Sequence, residues 1–332
     1  MAEPNIAIVG ITGAVGQEMI NCLEERNFPV KELRPLASAR SAGKKMNFRG
    51  NEIIIQELTE KSFEGIDIAL FSAGGGISKT YAPIAAEAGA VVVDNSSAFR
   101  MDETVPLVVP EINPEEVQNH SGIIANPNCT TIVTLMGLNP LHKKWKALNI
   151  IASSYQAVSG SGAQGIEELK SQINAIANGN EIEKKVYPCQ IAHNVIPQVD
   201  IFLENGYTKE EMKMENEGRK ILGIPNLKAS VTCVRVPVYR SHSIAVTAQF
   251  ASDPDIEEAR ILIDQADGVG IMDEPDSGIF PTPLDTTNKD DCLVGRVRKD
   301  IVLDKALSFW VVGDQVRKGA ALNAVQIAEL LN

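Results

Sequence analysis

Several features that would direct the reading elsewhere are missing from this sequence. No apolar run approaches the roughly 20 residues that a membrane helix needs, so no span is expected and no membrane partner. Lysine and arginine, 31 against 43 aspartate and glutamate, form no dense block, and the formal net charge is −12. Nucleic-acid binders carry a basic stripe, so no nucleic acid is expected as partner. An anionic substrate must then be held by local basic residues against the overall field. CxxC pairs are absent too. The five cysteines, Cys22, Cys129, Cys189, Cys233 and Cys292, fit neither a zinc site nor a disulfide framework, and no metal site is expected. The opening "MAEPNIAIVG" has no basic n-region and no long apolar stretch, so no signal peptide is read. Together these absences point to a reducing, cytoplasmic setting. Internal repeats and low-complexity segments are also lacking.

What is present is ordinary globular composition, 44% apolar and 22% charged, over 332 residues. That length exceeds one ordinary core and suggests two domains. The first half alternates strand and helix signals. "NIAIVG", "ELRPLAS", "IDIALFSA" and "AVVVDNSS" read as strands, and the unbroken apolar runs among them suit a parallel sheet buried on both faces. Helices are expected from Ala14 to about Glu25 and from Thr80 to Gly89, giving the βαβ rhythm of a doubly wound α/β sheet. The second half reads as α+β. "ALNIIASSYQAV" and the alternating Ala229–Phe250 stretch are long strand signals of antiparallel character, with helices at "GIEELKSQINAIANG" and "IEEARILIDQA". "KKMNFRGNE" and "NKDD" read as solvated loops, and the tail "GAALNAVQIAELLN" as one helix.

Between the first strand and helix, "GITGAVG" places Gly10, Gly13 and Gly16. Glycines there permit a tight turn and close backbone approach, and the helix N-terminus offers N–H groups to a pyrophosphate. An NAD site would put Asp or Glu about 20 residues on. This chain has "ASARSAGKK", where Ser38, Arg40 and Ser41 suit a 2′-phosphate, so NADP(H) is the expected cofactor.

Cys129 follows "NPN" and begins a run with helical apolar spacing. A thiol at a helix N-terminus has its thiolate favoured. A lone cysteine is more often core filler, but a thiol in a chain with a dinucleotide loop suggests aldehyde–acyl-phosphate chemistry. The step needs a proton carrier, and four histidines are available: His120, His142, His193 and His242. Position alone does not select one. His120 reads as solvated, His142 as a cation closing a helix, and His193 as packing. Arg235 and His242 share one strand signal at odd spacing, which puts them on opposite faces unless a bulge, bend or loop intervenes, and Pro237 allows one.

Seven segments carry a fuller pattern in order along the chain: "GITGAVGQEMI", "VVDNSSAFRMD", "IIANPNCTTI", "SYQAVSGSGAQG", "EEMKMENEGRKILG", "CVRVPVYRSHS" and "VGDQVRKGAALNAVQIAE". Together they resemble the aspartate-β-semialdehyde dehydrogenase family over nearly the whole chain. The resemblance implies a Rossmann-like NADP-binding domain, residues 1–128 with 313–332, and an inserted α+β catalytic and dimerisation domain, residues 129–312. It implies reductive dephosphorylation of L-aspartyl 4-phosphate to L-aspartate 4-semialdehyde, toward lysine, methionine and threonine. A homodimer is implied, with a tetramer as the alternative. Cys129 matches the nucleophile, His242 the acid/base, and Gln156 the group that positions the acyl carbon. Arg235 matches the clamp on the substrate carboxylate, Glu210 the partner of its amine, and Lys213, Arg100 and Asn128 the phosphate site. For the cofactor the pattern adds Thr12, Ala14, Val15, Ser72, Gly74, Ser159 and Gly160, and gives Gln315 the carboxamide. Two positions depart from the pattern: Gln315 stands where many relatives carry Asn, and Asn288 where many carry Gly.

Three readings compete. Another acyl-phosphate reductase would not use Arg235 and Glu210 together. A non-catalytic dinucleotide-binding paralogue would not need Cys129, Gln156, Arg235 and His242 at once. A Cys–His hydrolase leaves the glycine loop unexplained.

Overall fold

The computed structural model describes residues 3–332. They form two compact units. One comprises the described residues through Asn128 with Ala320–Asn332, the other Cys129–Gly319. The expected return to the first domain lay after residue 312; the units part at Gly319.

In the first unit, β1 (Asn5–Val9) leads through a glycine turn to α1 (Ala14–Glu25) and β2 (Glu32–Ala37). A small hairpin follows, β3 (Lys45–Phe48) and β4 (Asn51–Ile54), then a short β5 (Gln56–Glu57). The hairpin replaces the solvated loop read there. Its turn is Arg49–Gly50, both at positive φ (51° and 76°), the geometry that tight hairpins demand. The strands are short and mixed in character: Phe48 is buried, and Met46 and Ile53 pack against the same core. Next come β6 (Ile68–Phe71), α2 (Gly75–Glu87), β7 (Val91–Asp94) and β8 (Ile123–Ala125). Helix α2 begins five residues before the expected Thr80, because Gly75 and Gly76, poor helix formers, sit in its forgiving first turn.

Six strands pair in parallel in the order β5-β2-β1-β6-β7-β8. The chain winds outward in both directions from the β1/β6 boundary. That boundary is the switch point, where a crevice opens beyond the strand C-termini. Strand β6 is wholly buried, as expected of a strand covered on both faces.

The second unit opens with α3 (Cys129–Trp145) and β9 (Ala147–Gln156), then α4 (Gly162–Ala177), α5 (Lys209–Leu222), β10 (Lys228–Arg235) and β11 (His242–Phe250). It continues with α6 (Ile256–Asp264), β12 (Val269–Ile271), α7 (Pro283–Thr286), β13 (Cys292–Lys299) and β14 (Ala306–Gly313). The sheet order is β10-β9-β11-β14-β13-β12. It is mixed rather than antiparallel: β10 lies parallel to β9, and β12 to β13. Alternation cannot distinguish the two, since a half-buried strand has period two in either direction. The Ala229–Phe250 signal is two strands separated by residues 236–241. Helix α3 packs on this sheet.

A π-helical turn (Arg317–Ala321) precedes α8 (Leu322–Leu330), so the tail is not one regular helix. Helix α8 packs beside α1, and Leu322, Val325 and Ile327 join Ile8, Met19 and Leu70 in one core of the first unit. Among the described residues, no helix is long and apolar enough to cross a membrane.

Candidate active site

The chemistry-bearing residues fall into two groups, one in each unit. In the first unit, a cleft of about 530 Å³ lies beyond β1, β2 and β6. Gly10, Thr12, Gly13, Ser38 and Ser72 are on its wall. Gly10 has φ 87°, and a Cβ there would come within 2.9 Å of the Ser72 carbonyl carbon. At Gly16 a Cβ would lie 2.5 Å from the Gly10 oxygen. No side chain caps the start of α1 after Gly13, which leaves its first-turn N–H groups to an incoming anion. Helix α2 likewise starts uncapped after Gly74, at φ 89°. Ala14 and Val15 open α1 and are half-buried. The Ser72 hydroxyl donates to the Val9 carbonyl, 3.2 Å, which ties β6 to β1 at the cleft floor.

Ser38 and Arg40 are exposed beyond β2, whereas Ser41 is buried with its N–H donated to the Ser38 carbonyl. Glu57, paired with Ala37 across β5 and β2, also lines the cleft and was not singled out from the sequence. Arg100 is buried, its guanidinium donating to the carbonyls of Asn126 (2.9 Å) and Asn95 (2.8 Å). Asn128, also buried, closes this segment.

In the second unit, Cys129 is the first residue of α3 and is partly exposed. A Cβ on Gly319 would lie 2.8 Å from the Cys129 Cβ, so the bare glycine backbone walls the thiol. Gln156, at the end of β9, is fully enclosed. Its amide nitrogen donates to Thr130 Oγ1 (2.8 Å) and Ser154 Oγ (3.2 Å), with Glu210 Oε1 at 3.4 Å. Glu210 in turn holds Lys213 Nζ at 2.7 Å, and Lys213 also faces Asp200 at 3.5 Å. The acidic run around them suggests a solvated helix, but Glu210, Glu211 and Glu217 are all buried. Glu211 is used locally: it closes a capping box with Thr208 and accepts the Cys233 N–H. Burial pushes the Cys233 thiol up to about 12, with Glu210 and Glu211 adding to the rise, so this second cysteine stays a protonated packing residue.

His242 begins β11 and is fully enclosed. Ala157 N–H donates to its Nδ1 at 3.1 Å, which leaves the ring proton on Nε2. Nε2 has no partner. Burial, then the Arg235 guanidinium, lowers its pKa to about 3, and Glu210 opposes this. Arg235 ends β10, buried, with one nitrogen on the Ala157 carbonyl at 2.6 Å and its Nε unpaired. Residues 236–241 separate the two side chains in the chain, yet they meet: a Cβ on Gly160 would lie 2.8 Å from an Arg235 nitrogen and 3.4 Å from His242 Nε2. Of the bulge, bend or loop expected around Pro237, the structure has the loop, residues 236–241 between the two strands. The other histidines stand apart. His142 accepts the Ala147 N–H, and burial, then Lys146 and Lys143, lowers its pKa, so it is not the helix-closing cation expected. His193 is exposed at φ 57° rather than packed, and His120 is half-buried and accepts the Gly122 N–H rather than being solvated.

Gln315 is buried, and both ends of its amide are engaged: Nε2 donates to Ser159 Oγ, and Oε1 accepts the Ser241 N–H at 2.8 Å. Asp314, fully enclosed, accepts from Arg240 Nε, Asn288 N, Val316 N and Arg317 N. Asn288 has φ 61°, the conformation a glycine would supply. Thr130, Ser241 and Asp314 are absent from the sequence-based candidates. Each bonds a residue distant in the chain, Thr130 to Gln156, Ser241 to Gln315 and Asp314 to Arg240, and no local spacing announces such pairs. Among the described residues, no cluster of three or more His, Cys, Asp or Glu could hold a metal ion.

Comparison with known proteins bears on these arrangements. Residues 5–120 match a family described as semialdehyde dehydrogenase, NAD binding domain, and residues 138–318 one described as semialdehyde dehydrogenase, dimerisation domain. Cys129 lies between the two matches. The chain is 52% identical to an aspartate-semialdehyde dehydrogenase of Aquifex aeolicus, with 98% of this chain and 97% of that protein covered. It is 49% identical to that of Bacillus subtilis, with the same coverage. Among solved structures, aspartate semialdehyde dehydrogenase II of Vibrio cholerae complexed with ASA superposes with a TM-score of 0.97 at 48% identity, covering 100% of this chain and 98% of that one. The enzyme of Candida albicans with NADP superposes at 0.78 and 26% identity, covering 99% and 98%.

Proposed function

Because the chain belongs to the aspartate-semialdehyde dehydrogenase family, oxidoreductases with a nicotinamide-dinucleotide domain, we propose that it converts L-aspartyl 4-phosphate to L-aspartate 4-semialdehyde with NADPH, through a thioester on Cys129. The observation that carries this reading is the setting of Cys129: first residue of α3, partly open, next to the Thr130–Gln156–Glu210–Lys213 chain. The helix start favours a thiolate. That thiolate attacks the acyl carbon, the C–O bond to phosphate breaks, and phosphate leaves with the electron pair. When bound, NADPH supplies hydride to the resulting thioester carbon. The carbon–sulfur bond then breaks to release the aldehyde and return Cys129.

Around this path the side chains orient the substrate and handle protons. Arg235, buried with Nε unpaired, is the proposed clamp on the substrate carboxylate. Glu210, which holds Lys213 here, is the proposed partner of the substrate ammonium, and Lys213, Arg100 and Asn128 are the proposed phosphate ligands. His242 is the proposed acid/base. Its resting form, protonated on Nε2, presents a hydrogen bond to the carbonyl oxygen as charge develops there. To carry a full proton the ring must be loaded at Nδ1, at the cost of the Ala157 bond.

Gly10, Gly13, Gly16, Thr12, Ala14, Val15, Ser72 and Gly74 are the proposed dinucleotide contacts, supported by the uncapped helix starts. Ser159 and Gly160 are proposed at the nicotinamide end. Ser38 and Arg40, exposed beyond β2, support NADP, with Ser41 completing that site. Glu57 on the cleft wall is the feature that favours NAD, through a ribose hydroxyl. We place the product in lysine, methionine and threonine biosynthesis, in a cytoplasmic setting that suits five free cysteines. The dimerisation domain supports self-association, which we read as a homodimer. The deciding experiment runs the reaction in reverse. With aspartate semialdehyde, phosphate and NADP⁺, reduced cofactor accumulates, and omitting phosphate stops it. Turnover without phosphate dependence overturns the acyl-phosphate reading.

A further inference from the structure

Gln315 is placed differently from a side chain kept open for a ligand. It is 3% exposed, and both ends of its amide are bonded within its own unit. The strands explain how it arrives there. His242 pairs with Gly313 across β11 and β14, so the chain leaving β14 reaches Gln315 beside the residue that enters β11, Ser241. Ser241 is itself unusual. It holds φ 72°, a left-handed conformation that non-glycine residues rarely adopt. Two contacts hold it there: its N–H on Gln315 Oε1, and its hydroxyl 3.1 Å from Thr287 Oγ1.

The other end of the Gln315 amide reaches Ser159, in the segment that packs against the imidazole. Ser159 lies between Ala157, whose N–H bonds His242 Nδ1, and Gly160, whose bare Cα faces His242 Nε2 and Arg235. One side chain therefore spans the segment that carries His242 and the segment that walls it.

We propose that Gln315 is a positioning residue for His242: it clamps Ser159 to Ser241 and so fixes the imidazole against Ala157, Gly160 and Arg235. The clamp acts on the reaction proposed above and rests on that reading. It differs from a carboxamide contact, in which Gln315 touches the cofactor. One N–H and one lone pair of the amide stay free for such a contact, so the experiment separates the two roles.

Three variants do so. Gln315→Asn shortens the side chain by one methylene and cannot span both serines. Gln315→Glu keeps the length, still accepts the Ser241 N–H, and takes a bond from the Ser159 hydroxyl. Ser159→Ala removes the same bond from the other end, and serves if the shortened variant does not fold. The clamp gives a kcat loss of about 10²-fold in Gln315→Asn, the order that a misplacement of about 1 Å costs. Recovery follows in Gln315→Glu, and Ser159→Ala adds little loss in the Gln315→Asn background. The affinity for NADP⁺ without substrate, titrated by fluorescence, stays within about twofold in the two Gln315 variants. An unchanged kcat in Gln315→Asn overturns the clamp. So does a loss that appears in cofactor affinity with kcat intact, or a Gln315→Glu variant as poor as Gln315→Asn. Wild-type turnover tests the reaction itself. The His242 ring nitrogen chemical shifts, read without turnover, must move in Gln315→Asn and return in Gln315→Glu. If they do not, the clamp fails whatever the reaction is.

Discussion

Two junctions in this chain run from a buried parallel strand into a helix N-terminus, and they put that geometry to opposite uses. After β1, the chain strips side chains away: Gly10, Gly13 and Gly16 leave backbone N–H groups bare at the start of α1. After β8, it delivers one: Pro127 and Asn128 lead into Cys129 at the start of α3. The same positive helix end can receive a ligand's charge or favour a charge on the protein's own sulfur. The first kind of site is made by what three neighbouring residues lack. The second, on the function proposed above, draws on residues from distant parts of the chain, Gln156, Glu210, Arg235 and His242.

Four substitutions press on that contrast. The largest effect is expected at the delivered side chain. Cys129→Ala removes the proposed nucleophile and lowers turnover by about 10⁴-fold or more, while NADP⁺ titration gives wild-type affinity. Substantial residual turnover in that variant rules out the covalent path. Next comes His242→Asn, with a rate loss of about 10²–10⁴-fold in steady-state assays. The same variant has a stability signature. Burial and then Arg235 hold the native imidazole at about 3, against 6.5 ordinarily. Below pH 6.5 the unfolded chain therefore binds a proton that the native state refuses. Acidification from about 6.5 toward about 3 costs up to about 1.4 kcal/mol per pH unit at this residue. Urea midpoints of wild type fall faster than those of His242→Asn between pH 7 and pH 5. Parallel curves would mean that the ring is not held neutral.

The stripped junction is expected to respond more mildly. In Gly16→Ala the new Cβ meets the Gly10 oxygen at 2.5 Å and the Ile11 Cα at 2.8 Å. The loop and helix must part, at about 1–3 kcal/mol of overpacking. Calorimetry should show a lower Tm, and cofactor titration roughly tenfold weaker binding. Smallest is Arg40→Ala, which weakens NADP⁺ binding about tenfold, the loss of one charge-assisted contact, and leaves NAD⁺ unchanged. Equal effects on both cofactors would shift the choice to Glu57 and to NAD.

The contrast also explains what could be read from the letters. Helix α1 and strands β1, β2 and β6 are visible because apolar runs and glycine punctuation are local. The β3–β4 hairpin escaped because each strand has only four residues, too few for a clear alternation, and its turn relies on Arg49 at positive φ. Parallel pairing of β9 and β10 has no local mark at all. At the thiol, Cys129 was a candidate by position, but nothing in the spacing separates His242 from three other histidines. Only resemblance pointed there. Glu210 shows the limit in another way. Its run "KEEMKMENEGRK" is indistinguishable from a solvated helix face, and its burial follows from packing that the sequence does not display.

The final helix carries a consequence for how the molecule is made. Leu322, Val325 and Ile327 are enclosed in the same core as Ile6, Ile8 and Met19, at the other end of the chain. Domains commonly fold during synthesis, the N-terminal one first. This chain cannot follow that order to completion. Its first unit waits on the ribosome with part of one sheet face, beside α1, uncovered until α8 emerges. The second unit, uninterrupted in sequence from Cys129 to Gly319, can close before it. A nascent chain stalled short of Leu322 therefore exposes the apolar floor on which α1 and α8 lie side by side, and is the form most in need of a chaperone.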